Sequence, residues 1–162
     1  MIEADRIKIQ AISLQDIARF SEYRDKEEVA MYQSWDEYPL NKAINRIEYC
    51  QKHPFHGQIG NYQFGLYLKE NNRLIGDIFI EIDGHTTFTL GYTLDSVYWS
   101  KGYASEALKS VFKAMHETYS FKICFVYEDN IKSIKLLERN GFDKIHKSWF
   151  YQDVLYRKML NK

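Results

Sequence analysis

The stretch YWSKGYASEAL, residues 98–108, places a glycine where a long amphipathic pattern begins. Gly102 has no Cβ, so a ligand can approach its backbone closely, and Ala104 keeps the next turn small. The first amides of a helix lack intrahelical partners and lie at the positive end of the helix dipole, where they can bind phosphate. The pattern therefore indicates an anion site, although a glycine that serves only as a turn residue explains it equally well. Lys101 could add a positive charge, but a loop lysine is more often simply solvated.

A helix and two strands must position this glycine. Apolar side chains recur at helical spacing after it, which predicts a helix over residues 103–115: Ala104, Ala107, Leu108, Val111, Phe112 and Met115. TFTLGYTLD predicts the strand before the loop, and FKICFVY predicts the strand after the helix. NIKSIKLLERNGF then predicts a short helix that ends at Gly141.

The remaining segments complete one pattern of alternating elements. RIKIQAI predicts a strand, SLQDIARFSEYRD a helix capped by its serine, and residues 41–51 a second helix. QFGLYLKENNRLIGDIFIEIDGHTTFTLGYTLD predicts three antiparallel strands joined at two hairpins, and FDKIHKSWFYQDVLYRKML predicts a final strand pair. The order predicts an α/β (α+β) fold with a single mixed, mostly antiparallel sheet and helices on both faces.

Composition limits the kinds of partner. The 162 residues, 45% of them hydrophobic, fit one domain over residues 1–162. The formal net charge is zero, which argues against nucleic acid or anionic lipid as a partner. Cys50 and Cys124 lack metal-ligand spacing, and we find no signal peptide and no apolar run of membrane-spanning length. We therefore expect a soluble cytoplasmic protein without a metal site.

Two motifs carry a resemblance to a known family. The segment GYTLDSVYWSKGYASEAL resembles the acetyl-CoA-binding segment of the GNAT superfamily of N-acyltransferases, whose loop reads Arg or Gln, two residues, Gly, any residue, then Gly or Ala. Gly102 and Ala104 match this loop, while Trp99 stands in place of the Arg or Gln. A second family motif resembles the segment NIKSIKLLERNGF. The residues of both motifs are most similar to those of the branch that includes the ribosomal-protein N-terminal acetyltransferases.

The resemblance implies how acetyl-CoA would bind. The pyrophosphate would lie on the amides of residues 100–104, and the pantetheine arm would run between two splayed parallel strands, TLGYTLD and KICFVY. Asn130 could contact the pantetheine or cap its own helix. The expected cofactor-binding residues are Tyr92, Thr93, Leu94, Ser100, Lys101, Gly102, Tyr103, Ala104, Ser105, Asn130 and Ser133.

Both catalytic positions of the family are altered. Many relatives place a tyrosine four residues before the Gly-Phe pair, where this chain has Leu137. Ser133 is the only hydroxyl on the helical stripe of Asn130 and Leu137, so we expect it to donate a hydrogen bond to sulfur, although a structural serine is equally consistent. Thr89 occupies the position at which relatives carry a glutamate base. The sequence leaves open which of four other side chains is the base: Asp36, His56, Asp77 and Glu81.

The amine acceptor is expected in an aromatic and acidic pocket suited to a cationic amine before deprotonation, formed in part by an exposed loop that holds Trp35, Asp36 and Tyr38. Its candidate residues are Tyr32, Trp35, Asp36, Tyr38 and Tyr151. The same aromatic residues could instead form the interface of a homodimer. The resemblance thus implies an N-acetyltransferase for a peptide α-amine or a small amine. The alternative is a CoA-binding regulatory or scaffold protein, since the usual base and acid positions are occupied by Thr89 and Leu137.

Overall fold

The computed structural model describes residues 1–84, 87–115, 121–147 and 153–159. The strands are β1 (Ile2–Glu3), β2 (Ile7–Gln10), β3 (Gly60–Leu68), β4 (Leu74–Ile82), β5 (Thr87–Leu94), β6 (Phe121–Tyr127), β7 (Asp143–Lys147) and β8 (Asp153–Met159). The α-helices are α1 (Ile17–Arg24), α2 (Glu27–Ala30), α3 (Leu40–Lys52), α4 (Tyr103–Met115) and α5 (Ile131–Arg139). Two 3-10 turns, Leu14–Asp16 and Ser96–Tyr98, precede α1 and follow β5.

All of the described strands join one sheet, in the order β1-β2-β3-β4-β5-β6-β8-β7. Every neighbouring pair is antiparallel except β5 and β6, which are parallel. The predicted mixed, mostly antiparallel sheet is therefore confirmed. The two-residue strand β1 was not expected, because a strand of that length leaves no periodic pattern in the sequence.

Apolar side chains cover both faces of this sheet. On one face, alternate residues of β4 and β5 pack with the apolar stripe of α4, as Ile78, Leu90, Leu108 and Val111 show. On the other face, a second cluster of buried side chains lies under α1 and α3: Ile12, Phe20, Tyr23, Tyr38, Ala43, Ile47, Tyr67 and Leu74. Side chains alternate between the two faces along each strand, and each helix buries one apolar stripe. These two patterns decide which side chains pack in the core and which remain available to a site.

Local signals place the helix ends close to the predicted positions. The Ser13 hydroxyl accepts the Gln15 amide at 3.2 Å, so the expected serine cap is confirmed, with a 3-10 turn before α1. The second predicted helix is α3, one residue longer at each end. At the end of α5, Gly141 adopts φ +77°, a left-handed conformation that ends helices.

Candidate functional site

The parallel strands β5 and β6 separate after a short paired region. Their register joins Thr87 with Phe121, Phe88 with Lys122 and Thr89 with Ile123, and no pair follows. Beyond this point β5 continues against β4 as far as Leu94, while β6 continues against β8 as far as Tyr127. The strands therefore open a slot between them, and its edges carry main-chain groups that another extended chain could pair with.

The loop after β5 presents its backbone toward the start of α4. Ser100 has φ +60° and Gly102 has φ +86°. Left-handed residues within a turn are typical of nests, the backbone concavities whose amides bind anions. The positive φ also explains why a glycine is present at position 102, since most side chains are strained in this conformation.

The first turn of α4 leaves its amides without helical acceptors. The earliest helical bond runs from the Glu106 amide to the Gly102 carbonyl at 3.0 Å. The amides of Tyr103, Ala104 and Ser105 therefore have no acceptor inside the helix. The Glu106 carboxylate does not cap these amides, because it accepts the backbone amides of Arg6 at 2.6 Å and Ile7 at 3.2 Å.

Arg6 anchors this loop from outside the cleft. Its Nη1 donates to the Lys101 carbonyl at 2.9 Å, its Nε donates to Glu106 at 2.8 Å, and its guanidinium carbon lies 4.4 Å from the centre of the Tyr103 ring. No motif in the sequence points to Arg6. It stands 95 residues before Lys101, so no local spacing connects the two residues.

Trp99 occupies the position at which the resembling motif has Arg or Gln. Its indole Nε1 donates to the Leu94 carbonyl at 2.9 Å, which directs the ring back along β5. The Lys132 Nζ lies 4.8 Å from the centre of this ring. A positive charge thus reaches the loop from α5, where it can favour a bound anion.

One cleft of about 1080 Å³ joins the slot to this loop. It is large enough for a nucleotide-sized ligand together with an extended arm. All but one of the expected cofactor-binding residues line it: Tyr92, Thr93, Leu94, Ser100, Gly102, Tyr103, Ala104, Ser105, Asn130 and Ser133. The exception is Lys101, which is exposed and does not line the cleft; its Nζ lies 5.5 Å from the centre of the Tyr98 ring.

Two hydroxyl groups meet across the slot. The Tyr92 hydroxyl of β5 and the Ser133 hydroxyl of α5 lie 2.6 Å apart. Burial raises the pKa of Tyr92, although the hydrogen bond with Ser133 acts in the opposite direction. Asn130 caps α5, because its Oδ1 accepts the Ser133 amide at 3.1 Å. Leu137 is buried and carries no hydroxyl.

Asp95 joins the loop that follows β5 to α1 and to the residue before α2. Its carboxylate, which is 1% exposed, accepts Lys26 Nζ at 2.6 Å and also bonds Arg19. Burial favours the protonated acid, but the hydrogen bonds from Lys26 and Arg19 outweigh it and hold the pKa of Asp95 below its usual value. A depressed pKa stabilises the fold above the pKa of the unfolded state, and this contribution is lost as the pH falls through the folded-state value.

The expected acceptor surface is not arranged as predicted. Of the four predicted acceptor residues that the structure describes, only Tyr32 lines the cleft. Its neighbours along the cleft wall include Gln33, Ser34, Phe79 and Thr89. Tyr38 is only 4% exposed, so the prediction of an exposed loop is wrong there. Trp35 turns inward and donates its Nε1 to the Arg24 carbonyl at 3.0 Å. Asp36 is exposed and does not line the cleft, and Tyr151 lies outside the described residues.

The reason for this inward packing is a buried ion pair. Arg24 Nη1 donates to both Asp77 oxygens at 2.7 Å, and the guanidinium lies within 5 Å of the ring centres of Phe20, Trp35 and Tyr38. Coulombic attraction to Asp77 opposes the effect of burial and raises the pKa of Arg24. The rings surround the guanidinium because its faces are poorly hydrated and bind aromatic surfaces.

The same ion pair removes one of the four candidate bases. Asp77 is 1% exposed and also accepts Tyr23 at 2.5 Å and Gln63 at 2.5 Å. Asp36, His56 and Glu81 do not themselves line the cleft. Glu81 stands directly opposite Thr89 in the β4–β5 register, and Thr89 lines the cleft. Side chains at directly opposed positions share a face of the sheet, so Glu81 lies next to the position of the missing glutamate.

Comparisons with known proteins agree with this geometry. A family model described as Acetyltransferase (GNAT) domain matches residues 6–143. The chain is 26% identical over 145 residues to the uncharacterized N-acetyltransferase p20 of Bacillus licheniformis. The matched region covers 86% of this chain and 80% of that relative. The structure of a GNAT-family acetyltransferase from Bacillus anthracis superposes on this chain with a TM-score of 0.85 at 21% identity. The superposition covers 98% of this chain and 97% of the other.

A second solved structure comes from a ribosomal-protein acetyltransferase. This structure is RimL, the ribosomal L7/L12 alpha-N-protein acetyltransferase, in complex with coenzyme A. It superposes with a TM-score of 0.84 at 15% identity, and the superposition covers 98% of this chain and 97% of RimL. At these identities the two structures establish a shared fold. Within the described residues, no helix is long and apolar enough to span a membrane.

Proposed function

This chain belongs to the GNAT acetyltransferase family, and on that premise we propose that it transfers the acetyl group of acetyl-CoA to a primary amine. One observation carries the proposal: the slot between β5 and β6 opens into the same cleft as the unpaired amides at the start of α4. A diphosphate and an amide-bearing arm need these two features side by side. The coenzyme A bound to RimL and the acetyl-CoA bound to the microcin C7 self-immunity acetyltransferase MccE support this choice of donor.

The residues of the cleft fit such a donor. The left-handed backbone at Ser100 and Gly102 and the free first-turn amides would hold the diphosphate. The edges of β5 and β6 would pair with the pantetheine amides. A backbone amide at Thr93 or Leu94 would stabilise the oxyanion that forms when the amine attacks the thioester, and Ser133 would donate a hydrogen bond to sulfur.

The acceptor would bind at a partly aromatic surface of the cleft. Tyr32, Gln33, Ser34, Phe79 and Thr89 line it, and none of these side chains carries a formal charge. The Glu81 carboxylate lies opposite Thr89 beside this surface, so a primary ammonium group could bind there and lose its proton before it attacks. We propose a peptide α-amine or a small amine as the acceptor, bound beside the acetyl group so that attack is direct.

Glu81 is the general base of this proposal. We expect Glu81→Gln to lower kcat/KM by about 10- to 100-fold near neutral pH, because the amine loses its proton acceptor. The deficit should shrink as the pH rises and the free amine deprotonates in solution. The pH profile of thiol release measures this, with Glu70→Gln on the exposed β3–β4 hairpin as the control. Identical profiles for wild type and Glu81→Gln would contradict the assignment.

Cofactor binding is testable without knowing the acceptor. CoA at about 100 times its dissociation constant should add about 2.7 kcal/mol to the free energy of unfolding. For a domain of this size, that corresponds to a rise in Tm of about 5–10 °C. Differential scanning fluorimetry with CoA and acetyl-CoA measures the shift. An unchanged Tm at millimolar cofactor would remove the support for the proposal.

A second candidate function is CoA binding without catalysis. Thr89 and Leu137 favour it, because neither side chain can act as the base or the acid that relatives use at these positions. A screen of amines with acetyl-CoA distinguishes the two functions. Steady thiol release with any amine supports the acetyltransferase, whereas binding of CoA without release across peptides and small amines supports the regulatory protein.

A further inference from the structure

The slot contains a pair of hydroxyl groups that the sequence motifs do not predict. Tyr92 lies on β5 and Ser133 lies on α5, 41 residues later, and both side chains line the cleft. Their oxygens are 2.6 Å apart, which is a short hydrogen bond between hydroxyl groups. Leu137, which stands where many relatives have a tyrosine, lies one turn further along the same helix. A tyrosine hydroxyl is therefore present in this cleft, but it comes from the opposite wall.

The chemistry of the two hydroxyls favours one direction for this hydrogen bond. Burial disfavours the phenolate and raises the pKa of Tyr92, so the phenol keeps its proton over the pH range in which an amine reacts. A phenol is a stronger hydrogen-bond donor than an aliphatic hydroxyl, which favours the arrangement in which Tyr92 donates and Ser133 Oγ accepts. The proton of Ser133 is then free to point elsewhere, and a hydroxyl that accepts a hydrogen bond becomes a better donor.

The backbone of Ser133 is also fixed. Its amide donates to Asn130 Oδ1 at 3.1 Å, which holds the first turn of α5. A serine hydroxyl in a helix often bonds back to a carbonyl four residues earlier, which would turn it away from the cleft. Among the described residues, the partner of the Ser133 hydroxyl is Tyr92 instead. This arrangement keeps the hydroxyl on the cleft side of the helix.

We propose that Tyr92 is a positioning residue that acts through Ser133 on the departing thiolate. The inference rests on the proposed acetyl transfer. When the amine nitrogen bonds to the acetyl carbon, the carbon–sulfur bond breaks and sulfur keeps the electron pair. The amine gives its proton to Glu81, and the thiolate later takes up a proton from solvent to become the CoA thiol. Ser133 donates a hydrogen bond to sulfur as this charge develops, and Tyr92 orients and strengthens that bond.

The pKa of the CoA thiol in the bound state tests this inference without turnover. Ultraviolet absorbance of the thiolate reports that pKa, and calorimetry reports CoA affinity. We expect wild type to lower the pKa of bound CoA, and Tyr92→Phe to reverse about half a unit or more of that shift while affinity changes by less than about threefold. We also expect kcat to fall about tenfold in Tyr92→Phe, with KM for acetyl-CoA nearly unchanged.

A double-variant comparison isolates the coupling between the two hydroxyls. In a Ser133→Ala background, Tyr92→Phe should have no further effect on the bound thiol pKa or on kcat, because its route to sulfur is gone. Tyr67→Phe is the matched control, since that buried tyrosine also loses a bonded hydroxyl but lies outside the cleft. Its effects should be confined to stability.

The outcomes separate the inference from the function. If the variants bind CoA but leave its thiol pKa unchanged, or if the effects of Tyr92→Phe and Ser133→Ala simply add, the role of Tyr92 is overturned while acetyl transfer stands. If wild type does not bind CoA at all, the proposed function itself fails.

Discussion

Gly102→Asp is expected to weaken CoA binding by at least about 100-fold while leaving the fold intact. The new carboxylate would lie beside the unpaired amides at the start of α4 and would accept their hydrogen bonds itself, as an acidic N-cap does. It would also repel the diphosphate at short range. A Cβ at position 102 meets only the end of the flexible Arg6 side chain, at 3.2 Å, so the expected cost in stability is the backbone strain of a side chain at φ +86°.

Two controls separate charge from backbone strain. Gly102→Asn has nearly the same shape and tolerates positive φ about as well, so its smaller effect on CoA affinity measures strain and bulk alone. Gly57→Asp places the same charge at another left-handed glycine, φ +74°, where a Cβ meets nothing within 4 Å. Isothermal titration with CoA and a thermal melt of each variant complete the comparison. If Gly102→Asp keeps wild-type affinity, the loop is not the phosphate site.

Asp77→Asn is expected to lower the free energy of unfolding by about 3–5 kcal/mol, because it leaves the buried Arg24 guanidinium without an anion. The loss extends to the Tyr23 and Gln63 hydrogen bonds, which also end on this carboxylate. For a chain of this length, Tm should fall by about 10 °C. Urea unfolding gives the free energy directly, and Asp36→Asn, at an exposed position in the loop between α2 and α3, should change it by less than about 0.5 kcal/mol.

A paired variant tests the cause of that loss. Arg24→Met combined with Asp77→Asn removes both charges and keeps an apolar chain among the rings of Phe20, Trp35 and Tyr38. It should recover part of the stability that Asp77→Asn alone loses. A loss below about 1 kcal/mol in Asp77→Asn would show that the pair does not organise this side of the sheet.

The elements that carry the site could be predicted because their signals are local. Each signal comes from residues that are close together in the sequence. Gly102 directly precedes the apolar stripe of α4, and Asn130 lies three residues before the Ser133 amide that it caps. The splay of β5 and β6 followed from the family resemblance, and the short parallel register agrees with it. Periodicity and capping depend on neighbouring residues, so a single sequence contains them.

The features that were missed depend on contacts between distant residues. Arg6 bonds to Lys101, 95 residues later, in the loop before α4, and Tyr92 bonds to Ser133, 41 residues later. Trp35 and Tyr38 were expected at an exposed surface because their segment is rich in turn-forming and acidic residues. They turn inward because Arg24 is paired with Asp77, 53 residues later, and attracts the aromatic rings. Local composition does not specify such a partner.

A crystal structure of the protein with acetyl-CoA tests the central claim most directly. We predict that the diphosphate oxygens lie within about 3.2 Å of the amides of residues 100–104, and that the pantetheine arm lies between β5 and β6 with its sulfur beside Ser133. A structure in which the cofactor binds elsewhere, or in which the side chains of the loop fill the space before α4, would contradict the account.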